Sequence, residues 1–563
     1  MGKLTTTILC FLAAASVVAA DVKGTRTEQG KVTTGIGNKD VPLLRSTIDV
    51  GGAGEAIFQE VCGTVKATSP GDVKAVRAYF ATNERELYVD RAGKMPWRET
   101  NAVLYAEGRI GKDGRYSVKG SKPLPPGRHY LWIAVDIAKD AKEGNTVDLT
   151  IDSYTLDGKV HAEPDGDPAY EATIFLAESS VLMPMDKGTL YYRIPAITTS
   201  ADGRRIVVLT DDRRDHNVDL PYRCYVVAQY SEDMGRTWSE PVTVAGTAET
   251  GGEYGHGDAS LITNRLNGDI VGIMTSSRHG TGFFSSTPDA PQAWKTITSH
   301  DGGRTWEKPV DHTATLYGKG SPNPHWWAGF SASGAGLQKR DGTLVSPFVN
   351  RESADGTKEG ITQNYYNFVS DDGGRTWRVS GRSGTTAADE PKVIERNNGD
   401  LAISVRAPGY NYHNVTPDDG VTWKYPPQTR FTSGISGNAC DGEYLYWCST
   451  LDGNPWDIVL QTLPDDPGRQ NLSIALSLDE GETFGPPKTI CPRGAAYSAA
   501  TVLPDGTLGV YYEENGVFGC YTMRFVRLSL GWASDGKYRF GRKHPYRAWG
   551  SKAVQRQGVP VGL

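Results

Sequence analysis

The sequence predicts an all-β fold, a six-bladed β-propeller preceded by a small β-sandwich, and three observations predict it. Gly is abundant, at 66 of 563 residues, and long apolar heptads are missing, which favours many short strands joined by tight turns over helical bundles. An Asp-Gly or Asn-Gly pair followed by an apolar strand recurs six times after residue 190. A second motif built around Ser, Asp, Gly, Thr and Trp interleaves with the first.

A chain of 563 residues exceeds the size at which one hydrophobic core keeps growing, so two folded units are expected. The first twenty residues lead from Lys3 into the apolar run Ile8 to Ala20, with Val18 and Ala20 at the minus-three and minus-one positions of a cleavage site. They read as a signal peptide, 1–20, and predict export to the periplasm, the cell surface or the medium. Cys10 follows Leu9, where a lipoprotein signal would want a small residue, so cleavage is expected and not a lipid anchor. No later stretch reaches the roughly 20 consecutive apolar residues of a membrane helix, and no membrane span is expected.

Residues 21–180 hold the hairpin signals Asp113-Gly114 and Asp157-Gly158 and the alternating strand H-Y-L-W-I-A-V-D-I-A. This predicts the β-sandwich. Trp97 and Trp132 are available for stacking on sugar, with core packing as the competing role.

The propeller is expected over 181–545, followed by a tail, 546–563. Its hairpin turns are Asp202-Gly203, Asn267-Gly268, Asp341-Gly342, Asn398-Gly399, Asp441-Gly442 and Asp505-Gly506. These dipeptides tolerate the positive φ that two-residue hairpins require. Successive glycines are separated by 65, 74, 57, 43 and 64 residues, the scale of one four-stranded blade with its loops, so six copies predict six blades. The second motif appears as S-E-D-M-G-R-T-W from Ser231, S-H-D-G-G-R-T-W from Ser299, S-D-D-G-G-R-T-W from Ser370, T-P-D-D-G-V-T-W from Thr416 and S-L-D-E-G-E-T-F from Ser477. Physically it is a turn: Asp accepts from nearby amides, Gly supplies unusual φ, and the aromatic enters the blade core.

Six cysteines remain beyond the leader: Cys62, Cys224, Cys440, Cys448, Cys491 and Cys520. They are too scattered for a disulfide scaffold or a zinc site; mostly buried thiols are expected, with Cys440 and Cys448 as the pair that would close one hairpin. The net charge of -6, or -7 once Lys3 leaves with the signal, argues against nucleic acid as a partner. An anionic substrate must then be captured by a local basic cluster. Ten His show no H-E-x-x-H or Cys/His cluster, so no metal and no cofactor are expected.

Over roughly residues 185–540 the repeats resemble the Asp boxes of the bacterial sialidase family. Sialic acid carries a carboxylate on its anomeric carbon, so its recognition calls for planar cationic forks and a nucleophile that is not itself an anion. The resemblance implies a neutral Tyr nucleophile with a carboxylate base, acting with retention. In Y-R-I-P, residues 192–195, it makes Arg193 the first of three carboxylate-binding arginines. In D-D-R-R-D-H-N-V-D, residues 211–219, it makes Arg213 a sugar contact and Asp219 the general acid/base, with Asp215 as competitor. Asp258 in G-H-G-D-A-S matches a substrate-binding acid. The segment from Asp389 to Arg406 supplies the base, Glu390, and the second arginine, Arg406, while Glu395 reads as a surface residue. Arg469 is the third arginine, Tyr497 in A-Y-S the nucleophile, and Glu513 an acid steadying Arg193; Tyr511 and Tyr512 read as packing residues.

The implied activity is exo-α-sialidase, with sialylated glycans (glycoproteins, glycolipids, mucins) as partners. A trans-sialidase on the same fold and a non-catalytic glycan-binding propeller are the alternatives. Every candidate residue lies after position 190, so the N-terminal unit is expected to be dispensable for the chemistry.

Overall fold

The computed structural model describes residues 21–540, apart from 85, 91–92, 215–216, 247–254, 278–279, 436–439 and 516–519. The expected leader, the tail and Asp215 lie outside the described residues. The only described α-helices are single turns, Thr313–Leu316 and Leu530–Ala533, and apart from three short 3-10 turns the rest is strand and loop. No described helix is long and apolar enough to cross a membrane.

The first unit is one continuous twelve-stranded sheet running from Asp21–Gln29 to Ala172–Phe175. It folds over itself where Ala102–Ile110 pairs along most of its length with Val73–Ala81 and, through Arg109 and Ile110 at its end, with Arg115–Leu124. Phe58 and Phe80, from strands that are not hydrogen-bond neighbours, meet edge-on at 5.4 Å inside the fold. The strand Gly127–Ile137 is covered on both faces. Leu131, Ile133 and Val135 enter the main core, while Trp132 and Ala134 pack against Tyr79 and Leu87. Trp132 is therefore a core residue and no sugar platform. Trp97 donates from Nε1 to the Trp238 carbonyl at 3.1 Å, packing the first unit against the second.

From Ala177 onward the sheets form a propeller-like arrangement, closed by pairing of Ala177–Leu182 with Tyr521–Leu528. Six separate blades, the expectation, are not what the hydrogen bonding gives. Four sheets have four or more strands, and a fifth, Pro391–Glu395 with Leu401–Ala407 and Tyr410–Thr416, has three. The reason lies in Lys488–Val502, fifteen residues long, which pairs through Lys488–Gly494 with Gln470–Ser477 and through Ala495–Val502 with Leu508–Asn515. Two repeats thereby fuse into one seven-stranded sheet. The repeat survives at the axis, where a cavity of about 150 Å³ is lined by Ile197, Leu261, Ala335, Val393, Tyr444 and Ala500.

The Asp boxes are turns, as expected. In the first, Asp233 Oδ1 accepts from the amides of Arg236 and Thr237 at 3.0 and 2.9 Å, and Oδ2 accepts from Thr237 Oγ1 at 2.7 Å. Trp238 is buried against Phe525. One hairpin was misplaced by the repeat. Gly442 does not adopt positive φ, and Asp441 is buried beside Lys392, Nζ to Oδ2 2.9 Å. The turn of that repeat is Asp452-Gly453, with Gly453 at φ 83°, between Glu443–Cys448 and Ile458–Pro464. Its distances to Gly399 and Gly506 are 54 and 53 residues, a more even repeat than the 43 and 64 that Gly442 gives. Among the described residues the cysteines are all unbridged, Cys440 and Cys448 included.

Candidate active site

The site residues sit at one end of the inner strands, where three of those strands depart from regular pairing. Pairing breaks between Arg193 and Ala196, between Gly257 and Ser260, and between Ala495 and Ser498. Such irregularities re-aim side chains that a flat strand would send elsewhere. Ile194, Asp258 and Arg469 hold φ of 60°, 53° and 56°. For β-branched Ile194 that conformation is strained and must be held by its surroundings.

Glu513 supplies the hold. Its Oε1 accepts from Arg193 Nε at 2.7 Å and from the Ile194 amide at 2.7 Å. Its Oε2 accepts from Arg193 Nη2 at 3.0 Å and from the Tyr497 amide at 3.2 Å. One buried carboxylate thus sets a guanidinium, a strained backbone turn and the residue carrying the phenol. The Nη1 of Arg193 takes no part in that pair.

Tyr497, 6% exposed, donates its hydroxyl to Glu390 Oε1 at 2.5 Å. Arg406 Nη1 donates to Glu390 Oε2 at 2.5 Å and to the Tyr497 oxygen at 2.9 Å. Burial pushes the Tyr497 hydroxyl well above the ordinary phenol range; Glu390 pushes the same way and Arg406 opposes. The phenol therefore stays protonated until a base takes its proton, and Glu390 is in hydrogen-bond contact to do so. The guanidinium carbons of Arg193, Arg406 and Arg469 lie 5.2, 6.0 and 5.4 Å from the centre of the Tyr497 ring.

A second group is formed by Arg213, Asp219 and Asp258. Arg213 Nη2 is 2.9 Å from Asp219 Oδ1 and 3.5 Å from Asp211 Oδ2. Arg213 is buried, whereas the Asp219 side chain is 83% exposed, open to whatever enters from solvent. Burial raises Asp258 well above the carboxylate range, reinforced by Asp211 and Asp219. The two groups feel each other: Glu390 acts on Asp258, and Asp219 acts on Asp389. All nine residues expected from the sequence are thus drawn to one end of the propeller-like unit.

Three neighbours were missed. Asp389 is 3.6 Å from Arg406 Nε, and burial, with Glu390 beside it, raises it to about 6. Asp211 shares Arg213 with Asp219, and burial carries it to about 7. Tyr521 lies 4.9 Å beneath Arg193. Each acid is written in the sequence beside or near an expected residue, in D-E-P and D-D-R-R, while Tyr521 has no local signal. Glu395 is no surface residue: it is 8% exposed and accepts from the Arg340 amide at 2.7 Å. Tyr511 and Tyr512 are packing residues, fully buried and bonded to Thr210 and Thr33. Among the described residues no group of His, Cys, Asp and Glu is arranged to hold a metal ion.

Residues 224–510 match the BNR repeat-like domain family, half of the chain. The chain is 28% identical over 381 residues to a sialidase of Micromonospora viridifaciens, covering 66% of this chain and 55% of that protein. It is 26% identical over 419 residues to a sialidase of Bacteroides fragilis strain YCH46, covering 71% of this chain and 73% of the other. The chain thus spans little more than half the length of the first relative. Among solved structures, the Hadza microbial sialidase Hz136 superposes with a TM-score of 0.66 at 21% identity, covering 90% of this chain and 99% of that one. At that identity the likeness carries the fold.

Proposed function

The chain belongs to the bacterial BNR-repeat sialidase family, and from that membership we propose that it is an exo-α-sialidase that releases terminal α-linked sialic acid with retention of configuration. One observation carries the reading: the Tyr497 hydroxyl lies 2.5 Å from a carboxylate while three guanidiniums surround its ring. A glycan-binding propeller has no need of a phenol paired with a base.

In this mechanism Arg193, Arg406 and Arg469 grip the sugar carboxylate through planar donor forks. Arg213 and Asp258 bind the sugar's polar groups. Asp219 protonates the departing glycosidic oxygen as Tyr497 attacks the anomeric carbon and passes its proton to Glu390. Asp219, now ionised, takes a proton from water as that water displaces the tyrosine oxygen, and Glu390 returns its proton to Tyr497. Glu513 acts through others, holding Arg193 and the Tyr497 backbone in place.

The sialylated chains of glycoproteins, glycolipids and mucins are the proposed substrates, and the apolar leader 1–20 supports export. Purified protein incubated with α2,3- and α2,6-sialyllactose, with the product identified by mass and NMR, tests the reading. Free sialic acid supports hydrolysis; an anhydro or lactose-transferred product would replace it with trans-sialidase action, and no turnover would overturn it.

A further inference from the structure

A further cation stands outside the arginine cluster. Arg351, on the strand Leu344–Ser353, has its guanidinium carbon 5.6 Å from the ring centres of both Phe283 and Phe284. Its Nη1 donates to the Phe283 carbonyl at 2.5 Å. Among the described residues no carboxylate pairs with it, and burial is the single influence on its pKa, downward. The acid next along the chain looks elsewhere, Glu352 accepting from Asn350, Asn364 and Tyr366. A half-buried cation met by rings and one carbonyl is incompletely compensated, and an anion would complete it.

The rings tie this cation to the site. Phe284 is 79% exposed, an unusual amount of open aromatic surface. It meets Phe283 edge-on at 5.2 Å, and Phe283 meets Phe330 at 5.1 Å. Phe330 packs on a cluster containing Val393 and Val405, from the strand that follows Glu390 and the strand that carries Arg406. On the other side Gly282, just before Phe283, touches Leu220 and Pro221 so closely that an added Cβ would lie 2.4 Å from the Leu220 carbonyl oxygen. Leu220 follows Asp219, and Val218 and Tyr222 beside it are 42% and 51% exposed. The platform is thus anchored to the segment of the acid and packed on the cluster that the strands of the base help to build.

We propose that Phe283, Phe284 and Arg351 form a leaving-group subsite that favours an aglycone bearing its own anion, the carboxylate of a second sialic acid or the sulfate of a sulfated sugar. A sugar ring presents its apolar C–H face to an exposed aromatic, and a carboxylate or sulfate fits the planar guanidinium fork. The proposal rests on the sialidase reading above. It concerns the part of the glycan that departs, which the three arginines around Tyr497 do not touch.

The test compares kcat/KM on an activated aryl sialoside, α2,3-sialyllactose, its 6-sulfated form and an α2,8-linked disialyl lactoside. The wild type should prefer at least one anionic aglycone over sialyllactose by about tenfold, the scale of one charge-assisted contact. Raising the salt should shrink that preference. The sulfated and disialyl arms decide which anion is meant. Arg351→Gln should abolish the preference while leaving sialyllactose within about twofold, and Arg351→Lys should restore part of it. Equal rates on all aglycones, unchanged in Arg351→Gln, would overturn the proposal. So would loss of every substrate alike in both variants, since the arginine would then merely hold its loop. A wild type inactive even on the aryl sialoside would instead strike the sialidase reading itself.

Discussion

Glu513 and Glu514 are adjacent on one strand and face opposite ways. Glu513 holds Arg193 and the Tyr497 amide in the candidate active site. Glu514 pairs with Arg493 and Arg524 in a buried ionic cluster shared with the N-terminal unit. There Arg493 donates to the carbonyls of Gln29 and Gly30 at 3.0 and 2.9 Å, Arg524 lies 3.2 Å from Glu86, and Lys31 lies 3.1 Å from Glu178.

The first prediction reverses the expected dispensability of the N-terminal unit. A chain starting near Val181 would strip away Lys31, Glu86 and Glu178, together with Ala177–Ser180 of the strand that closes the propeller-like unit, and would open Arg524 and Arg493 to water without these partners. Breaking a buried pair costs about 3–5 kcal/mol. The truncated protein should be insoluble or inactive, and Glu86→Gln in the full chain should lower the melting temperature clearly. A truncation that melts like the full chain and cleaves an aryl sialoside would show the cluster to be immaterial.

Much of the fold was legible because its signals are local. Asp, Gly and Trp within eight residues make a box turn wherever they occur, so the repeat could be read directly. The site was legible as far as each residue kept a short motif around it, as Arg193 does in Y-R-I-P. What failed depended on distance. Asp441-Gly442 and Asp452-Gly453 are equivalent as dipeptides, and only the pairing of Glu443–Cys448 with Ile458–Pro464 shows which one turns. Glu395 reads as a surface acid until Arg340 folds over it. The Glu86–Arg524 pair joins residues 438 positions apart, which no window along the chain reveals.

A second prediction concerns the arginine forks. Arg193, Arg406 and Arg469 replaced singly by Lys keep the charge and lose bidentate geometry. We expect kcat/KM to fall about a hundredfold or more in each, the scale of removing a preorganised donor. Arg193→Lys should also lower the melting temperature, because its fork holds Glu513. Steady-state kinetics beside thermal melts separate the two effects, and near-normal turnover in all three variants would dissolve the proposed carboxylate grip.

The third prediction is a stability profile. Burial raises Asp211 to about 7 and Asp389 to about 6, whereas an unfolded Asp titrates near ~3.9. With the folded pKa above the unfolded one, their contribution is full below about pH 4 and is lost as pH rises through about 6 to 7. Stability should therefore fall by an amount on the order of 4 kcal/mol between about pH 4 and pH 7 from buried Asp211, with less from Asp389, whose 38% exposed side chain is screened by solvent. Asp211→Asn should flatten that slope, whatever it does to the absolute value. Denaturant melts at intervals across this range decide the matter; a wild-type stability that climbs throughout would contradict the assignment.

The last prediction concerns stereochemistry and rests on the contact between Tyr497 and Glu390. If the tyrosine oxygen attacks the anomeric carbon and water then displaces it, two inversions restore the starting configuration. The sialic acid first released should be the α-anomer, before mutarotation converts it to the β form. Tyr497→Phe removes the nucleophilic oxygen while leaving the three guanidiniums in place, so the loss should fall on kcat far more than on ligand affinity. Asp219→Asn should harm a sialyl-lactoside much more than an aryl sialoside, because a good leaving group needs little protonation. Time-resolved proton NMR of the wild-type reaction is the deciding measurement. β-anomer appearing first would mean direct attack by water, and Tyr497 would then lose the nucleophile's role, with Glu390 left as the group that activates the water.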